Sequence, residues 1–100
     1  AVLPVGYADG YRTSLANRSW VIIRGVRRPL RGRVSMDQIV VDVSAPPCVE
    51  IGDTATLIGQ DGGEQVTADE LARLAGTIAY DILTGIGPRV ERRYMPGLPP

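Results

Sequence analysis

The chain has 100 residues, 44% of them apolar and 22% charged, which is enough for one small folded domain. Eleven basic and eleven acidic side chains cancel, whereas a nucleic-acid or membrane-surface protein would carry a basic excess. No apolar stretch approaches the roughly 18 residues that a membrane span requires. Phe is absent and Trp occurs once, so the core is predicted to be aliphatic.

Two missing residue types exclude several chemistries. The chain contains no His, and all of its basic residues are Arg. A histidine-based acid/base triad is therefore excluded, as is a covalent Schiff base from a lysine of this chain. The single cysteine, Cys48, has no internal disulfide partner and indicates a reducing, cytoplasmic compartment. A zinc site built from Cys and His is excluded as well, and no metal is expected.

The amino end, AVLPVGYADGY, lacks the charged and apolar regions of a signal peptide. It also lacks a starting Met and opens inside a strand-like segment, residues 2–5. We therefore expect the chain to be a piece of a longer protein.

Short strands dominate the predicted elements. Residues 20–23 and 27–34 form a hairpin around Gly25, and Pro29 favours an edge position because it cannot donate to a ladder. The β-branched residues 39–43 are the clearest strand. Residues 54–58 follow as another strand, and a turn at 61–63 comes after it.

Two helical segments follow these strands. Thr67 and Glu70 have capping-box spacing, which predicts a helix over about 67–75 that stops at Gly76. The apolar spacing of the next segment favours a short helical turn near 78–84. Residues 89–94 alternate like a last strand, and 95–100, with three prolines, are predicted to be a frayed tail. The fold class is therefore mainly β, a small barrel or sandwich-like domain with one capped helix.

Two loops carry residues of chemical interest. Glycines on both sides of Tyr7 allow a sharp turn that exposes its ring; alternatively Tyr7 packs on its own domain and Asp9 accepts local backbone donors. In residues 32–38, Arg33 can bind a carboxylate bidentately and the Met36 N–H can donate to an anion. The alternative there is a solvated turn with a surface ion pair between Arg33 and Asp37.

Two further features have competing interpretations. Tyr80, in the first turn of a short helix, can point its hydroxyl toward an anion, or it can fill a core short of aromatics. Five arginines lie within residues 24–33. A basic hairpin can grip nucleic acid, but the balanced net charge favours a solvated hairpin or one that faces an acidic partner.

Taken in order, these segments resemble the carboxy-terminal domain of bacterial alanine racemase. The resemblance covers residues 1–94 and is carried by motifs whose order and spacing are specific, although each alone is weak. They are VLPVGYADGYR, RPLRGRVSMDQIVVDV, EIGDTATLIG, TADELARLAGTIAYDILTGIGPRV and RRY.

The resemblance implies a fragment of a pyridoxal-phosphate enzyme that interconverts L- and D-alanine for peptidoglycan. The family's amino-terminal TIM-type barrel carries the Schiff-base lysine, and two subunits pack head to tail. Neither proton-transfer residue lies in this chain, so it contains no catalytic residue. The match assigns the backbone of Met36 to the substrate carboxylate and Tyr80 to the cofactor phosphate. It assigns four residues to the entry corridor: Tyr7, Arg33, Asp37 and Ile78.

Departures from the family leave substrate preference open. The family often has Cys at Ser35 and a polar residue at Ala79, and an Arg that many members carry matches either Arg12 or Thr13. A broader racemase acting on serine or other amino acids is therefore an alternative. A non-enzymatic β-barrel interaction module that uses its arginine hairpin is another.

Overall fold

Antiparallel strands and two short helices make up the protein, for which a computed structural model describes residues 1–93. The mainly β fold class is confirmed. The helices are α1 (Ala68–Ala75) and α2 (Ala79–Thr84), and 3₁₀ turns cover Tyr7–Asp9 and Thr13–Leu15. The strands are β1 (Val2–Leu3), β2 (Trp20–Ile23), β3 (Val26–Pro29), β4 (Ile39–Val40), β5 (Ala55–Thr56), β6 (Gly59–Asp61) and β7 (Glu64–Val66).

The strands form three small sheets, in the orders β3-β2-β5, β1-β4 and β6-β7. The predicted β2–β3 hairpin is confirmed, and its turn at Arg24 and Gly25 has the two positive φ values of a tight hairpin turn. Pro29 pairs with Trp20 at the end of edge strand β3. A bridge between Leu30 and Val41 then joins this sheet to the β1–β4 pair.

Several predicted strand boundaries are wrong. Strands β1, β3 and β4 are shorter than predicted. Residues 54–58 contain only β5, and the β6–β7 hairpin that follows was not predicted. Residues 89–93 contain no strand, since Val90 N–H turns back to the Gly87 carbonyl. Residue 94 and the predicted tail, 95–100, lie outside the described residues.

The core between the sheets and helices is aliphatic, as the composition predicts. Within residues 1–93, Tyr11 is the one aromatic side chain among its buried apolar members. The most completely enclosed of these are Leu15, Val21, Ile22, Ile23, Leu30, Ile39, Val41 and Val66. Helix α1 adds Leu71 and α2 adds Ile82.

Helix α1 begins as the sequence predicts, with one correction. The Glu70 N–H donates to Thr67 Oγ1 over 3.0 Å, and Gly76 ends the helix at φ 77°. The Glu70 carboxylate does not complete a capping box. It accepts instead from Trp20 Nε1 at 3.2 Å and from Arg27 Nη1 at 2.9 Å, because a cation and an indole N–H lie within its reach. In the part of the chain described, neither helix has the length and apolar character needed to cross a bilayer.

Candidate functional site

The turn that carries Tyr7 is built around a buried carboxylate. Asp9 Oδ2 accepts from the Gly6 N–H at 3.1 Å, the local backbone bond predicted for this aspartate. Arg89 binds the same carboxylate with two nitrogens, Nε to Oδ1 at 2.9 Å and Nη2 to Oδ2 at 3.0 Å. Tyr7 itself is 52% exposed. Its ring therefore does not pack into its own domain, and the turn beneath it is fixed.

Electrostatics tie this turn to Asp37. The hydrogen bond from Arg89, followed by that from the Gly6 N–H, lowers the pKa of Asp9. The pKa of Arg89 is raised, mainly by its hydrogen bond and charge interaction with Asp9 and to a smaller degree by the charge of Asp37. Arg89 therefore binds Asp9 directly and interacts with Asp37 only through its charge.

The loop that carries Met36 docks onto the Tyr7 turn through backbone groups. Tyr7 N–H donates to the Ser35 carbonyl and Ala8 N–H to the Met36 carbonyl, each over 2.9 Å. A Cβ on Gly6 would lie within 3.0 Å of both carbonyl oxygens. Only glycine permits this approach, so the sequence brings Tyr7 and Met36 together by backbone contact.

The Met36 amide is available to a ligand. Across residues 1–93, its N–H makes no hydrogen bond. The side chain of Met36 is 53% exposed, and Arg33 and Asp37 beside it are exposed too. The alternative ion pair between Arg33 and Asp37 is not formed within the described residues. Their charges remain at the surface.

The start of α2 supplies the remaining predicted residues. Ile78 is the N-cap residue and is exposed, and Tyr80 in the first turn is 74% exposed. The alternative interpretation, in which Tyr80 fills the core, is therefore excluded. Helix α2 meets the Tyr7 turn where a Cβ on Gly10 would lie within 3.0 Å of the Gly85 carbonyl oxygen.

An ion pair also joins α2 to Arg12, which lies three residues after the Tyr7–Asp9 turn. Arg12 Nη2 donates to the carbonyl oxygen of Asp81 at 3.0 Å and contacts its Oδ2 at 2.8 Å. Thr77 Oγ1 donates to the same Oδ2 at 2.9 Å. A cleft of about 410 Å³ opens here, lined by Tyr7, Gly10, Arg12, Thr13 and Gly85. We call Tyr7, Met36, Ile78 and Tyr80 the candidate face.

A second cavity, of about 420 Å³, contains none of the predicted site residues. Its wall is mainly apolar and includes Val5, Leu15, Leu71 and Ile82. Burial raises the pKa of Tyr11, which also lines it. This cavity is continuous with the aliphatic core rather than with the candidate face.

We call strands β2 and β3, with Arg24, Arg27 and Arg28, the arginine hairpin. Its charged side chains bind groups of the same chain. Arg24 Nε binds Asp53 at 2.7 Å, and Arg27 binds both Glu64 and Glu70 at 2.9 Å. Arg27 also lies over the Trp20 ring, 5.1 Å from its centroid.

Arg28 is fully buried and donates to carbonyl groups alone. Its acceptors are the carbonyl oxygens of Ile23, Ala45 and Pro47. The nucleic-acid hypothesis and the interaction-module hypothesis both require the arginine side chains of the hairpin at the surface. The burial of Arg28 argues against both. Among residues 1–93 there is also no group of three or more His, Cys, Asp or Glu placed to bind a metal.

Comparisons with known proteins identify the family of the chain. The family model described as alanine racemase, C-terminal domain, matches residues 1–94. Alanine racemase of Symbiobacterium thermophilum is 55% identical over 94 residues, which are 94% of this chain and 25% of that protein. The chain thus spans about a quarter of the relatives it matches.

Solved structures show the same fold. Alanine racemase from Streptomyces coelicolor superposes with a TM-score of 0.86 at 41% identity, over 95% of this chain and 24% of that one. The Bartonella henselae enzyme, whose structure has covalently bound pyridoxal phosphate, gives 0.79 at 35% identity, over 95% and 27%. The fold and the matched range define a mainly β domain that corresponds to about a quarter of these enzymes. The chain belongs to the family of alanine racemase carboxy-terminal domains.

Sequence reasoning missed the residues that organise the candidate face. Arg89 was placed in a strand, and its partner Asp9 is 80 positions away, so no local spacing relates the two. The sequence alone likewise gives no ion-pair partner for Arg12. The pairing of Arg12 with Asp81 spans 69 positions and is equally invisible in a local motif.

Proposed function

We propose that this chain is the carboxy-terminal domain, residues 1–94, of a pyridoxal-phosphate-dependent alanine racemase. In this role its candidate face lines the route to the substrate, and the Met36 N–H binds the substrate carboxylate. The observation that carries this proposal is the Met36 N–H, which makes no hydrogen bond within residues 1–93, although the Ser35 and Met36 carbonyls beside it accept from Tyr7 and Ala8. A backbone donor in that position suits a negatively charged group.

Different residues of the chain have different roles in this proposal. Tyr7, Arg33, Asp37 and Ile78 form a corridor that excludes larger substrates and bulk water. The exposed hydroxyl of Tyr80 suits a contact with the cofactor phosphate, whereas the covalent link must come from elsewhere because this chain contains no Lys. When bound, pyridoxal phosphate supplies an electron sink for the charge that develops at the substrate α-carbon.

The remaining parts of the enzyme lie outside this chain. We propose that a TIM-type barrel precedes it and supplies the lysine, and that a second subunit packs head to tail so that the candidate face meets the partner's barrel. The exposure of Tyr7, Met36 and Tyr80 supports such a covering surface. The enzyme would act in the cytoplasm, and its D-alanine would serve peptidoglycan synthesis.

The test uses the full-length protein and follows the interconversion of L- and D-alanine, with serine as the competing substrate. Efficient turnover of alanine supports the proposal, whereas a preference for serine favours the broader racemase. The isolated chain should be inactive. Incubation with pyridoxal phosphate and borohydride should label at most its terminal amine, and an internal adduct would contradict the assignment.

A backbone ester at Met36 examines the carboxylate contact directly. The ester removes the donor and should lower kcat/KM about ten- to a hundredfold, the loss of one hydrogen bond to a charged group. Met36→Leu keeps the N–H and nearly the same volume, so it should retain most activity. Met36→Pro removes the donor and fixes φ, so it should be as severe as the ester. Unaltered kinetics in the ester variant would show that Met36 does not bind the carboxylate.

A further inference from the structure

The position of Tyr80 depends on contacts outside its own helix. Helix α2 has six residues, and isolated helices shorter than about 12–15 residues are marginal in water. Its N-cap residue, Ile78, offers no side-chain hydrogen bond. Ile82 anchors one side of α2 in the core, while Tyr80 lies on the exposed side.

Arg12 supplies the missing constraint on that exposed side. Its Nη2 binds the main-chain carbonyl of Asp81, which is adjacent to Tyr80, and the Asp81 carboxylate as well. The same carboxylate accepts from Thr77. These bonds fix the chain before and after Tyr80, and with it the direction in which the tyrosine leaves the helix.

Arg12 also lies close along the chain to the 3₁₀ turn that contains Tyr7. It directly precedes the 3₁₀ turn Thr13–Leu15, whose Leu15 is buried. It also lines the same cleft as Tyr7. The Arg12–Asp81 pair therefore joins the cleft that Tyr7 lines to the residue that follows Tyr80.

Stability alone does not account for this pair. The side chains of Arg12 and Asp81 are 36% and 47% exposed, and ion pairs at that exposure contribute little to folding. The contribution of Arg12 to geometry is thus separable from any contribution to stability.

We propose that Arg12 is a positioning residue that, through Asp81, orients Tyr80 toward the phosphate of the cofactor. This inference rests on the proposed function, because it assumes that Tyr80 contacts that phosphate. Arg12 itself touches neither cofactor nor substrate.

The experiment measures the affinity of the full-length apoprotein for pyridoxal phosphate by fluorescence titration. Arg12→Met should weaken binding about three- to tenfold, less than outright deletion of a charged hydrogen bond would cost. Tyr80→Phe should weaken it by at least as much. In the Tyr80→Phe background, Arg12→Met should add nothing, since both changes remove the same contact. Hydrogen exchange at the Asp81 and Ile82 amides should accelerate in Arg12→Met.

Two further variants keep the test decisive. Arg24→Met breaks an ion pair on the arginine hairpin whose arginine has an exposure similar to that of Arg12, and it should leave cofactor affinity unchanged. Arg12→Lys retains the charge but not the planar donor group, so its affinity should be intermediate. Arg12→Lys also replaces Arg12→Met as the test variant if Arg12→Met does not fold.

The outcomes separate this inference from the proposed function. Unchanged affinity in Arg12→Met, or the same loss with and without the Tyr80 hydroxyl, would overturn the positioning role. Unchanged affinity in Tyr80→Phe would overturn it too. If instead the unmodified enzyme does not racemise alanine, the proposed function fails, and the affinity and exchange measurements still decide whether Arg12 acts through Tyr80.

Discussion

The candidate face and the arginine hairpin satisfy their polar groups in opposite ways. In the hairpin, side chains bind one another, because Arg24 and Arg27 form ion pairs with neighbouring carboxylates. On the candidate face, backbone groups bind one another and leave Tyr7 and Met36 exposed. A dense run of charge in a sequence is therefore a poor guide to a binding surface. Exposed side chains on a rigid, internally bonded backbone are a better one.

The largest effect on stability is expected from Gly6→Ala, which disrupts the backbone contact on the candidate face. The added Cβ would overlap the carbonyl groups of Ser35 and Met36. Because backbone cannot yield as a side chain can, the free energy of unfolding should fall by about 3 kcal/mol, the upper range for overpacking. The activity of the full-length enzyme should fall with it. Chemical denaturation and steady-state kinetics measure the two effects.

Gly63→Ala is the matched control, because a Cβ there meets nothing within 4 Å. It should change the free energy of unfolding by less than about 0.5 kcal/mol. Equal effects of the two substitutions would mean that the Tyr7 and Met36 segments are not in contact.

The next largest effect separates the two regions. Arg28→Met removes the side-chain donors to the carbonyl oxygens of Ile23, Ala45 and Pro47. The free energy of unfolding should fall by about 2 kcal/mol, while KM for alanine stays unchanged because Arg28 is remote from the candidate face. Arg31→Met, which loses only an exposed pair to Asp42 at 3.5 Å, should cost less than about 1 kcal/mol. A raised KM in Arg28→Met would contradict this separation.

Local signals in the sequence predicted what local structure decides. The Thr67 cap, the Gly76 stop and the β2–β3 hairpin each depend on residues a few positions apart. The resemblance to a family added the candidate site residues, and the exposure of Tyr7 and Tyr80 agrees with such roles.

Ion pairs between residues far apart in the chain could not be predicted from the sequence. The Asp9–Arg89 ion pair draws residues 89–93 into a turn where their alternation favours a strand. Glu70 likewise has the spacing of a capping box, yet Arg27 binds it more strongly than a backbone amide would. In each case an ion pair between distant segments overrides a local preference.

A smaller effect is expected from Thr67→Ala in α1. The substitution removes the Oγ1 acceptor of the Glu70 N–H and should cost about 1 kcal/mol of the free energy of unfolding. Thr67→Ser keeps an acceptor and should cost only a few tenths of that amount. Thermal unfolding of the three proteins provides the ranking. An equal loss in both variants would indicate that packing of the Thr67 methyl group, rather than the cap, stabilises the helix start.

The smallest effect should appear as a slope against pH. Hydrogen bonds from Arg89 lower the pKa of Asp9 on the candidate face, and those from Arg24 lower the pKa of Asp53 beside the arginine hairpin. Each carboxylate therefore stabilises the fold above its ordinary pKa of 3.8, and this contribution is lost as the pH falls through the lowered value.

Urea denaturation should accordingly show a free energy of unfolding that is nearly flat above about pH 5 and declines below about pH 4. Asp9→Asn and Asp53→Asn should each make the decline shallower. The change should be greater for Asp9, whose side chain is 8% exposed against 18% for Asp53, because solvent screens it less. An unaltered slope in Asp9→Asn would mean that the Arg89 pair contributes nothing to folding, and the rigidity ascribed to the Tyr7 turn would then have to come from its backbone bonds alone.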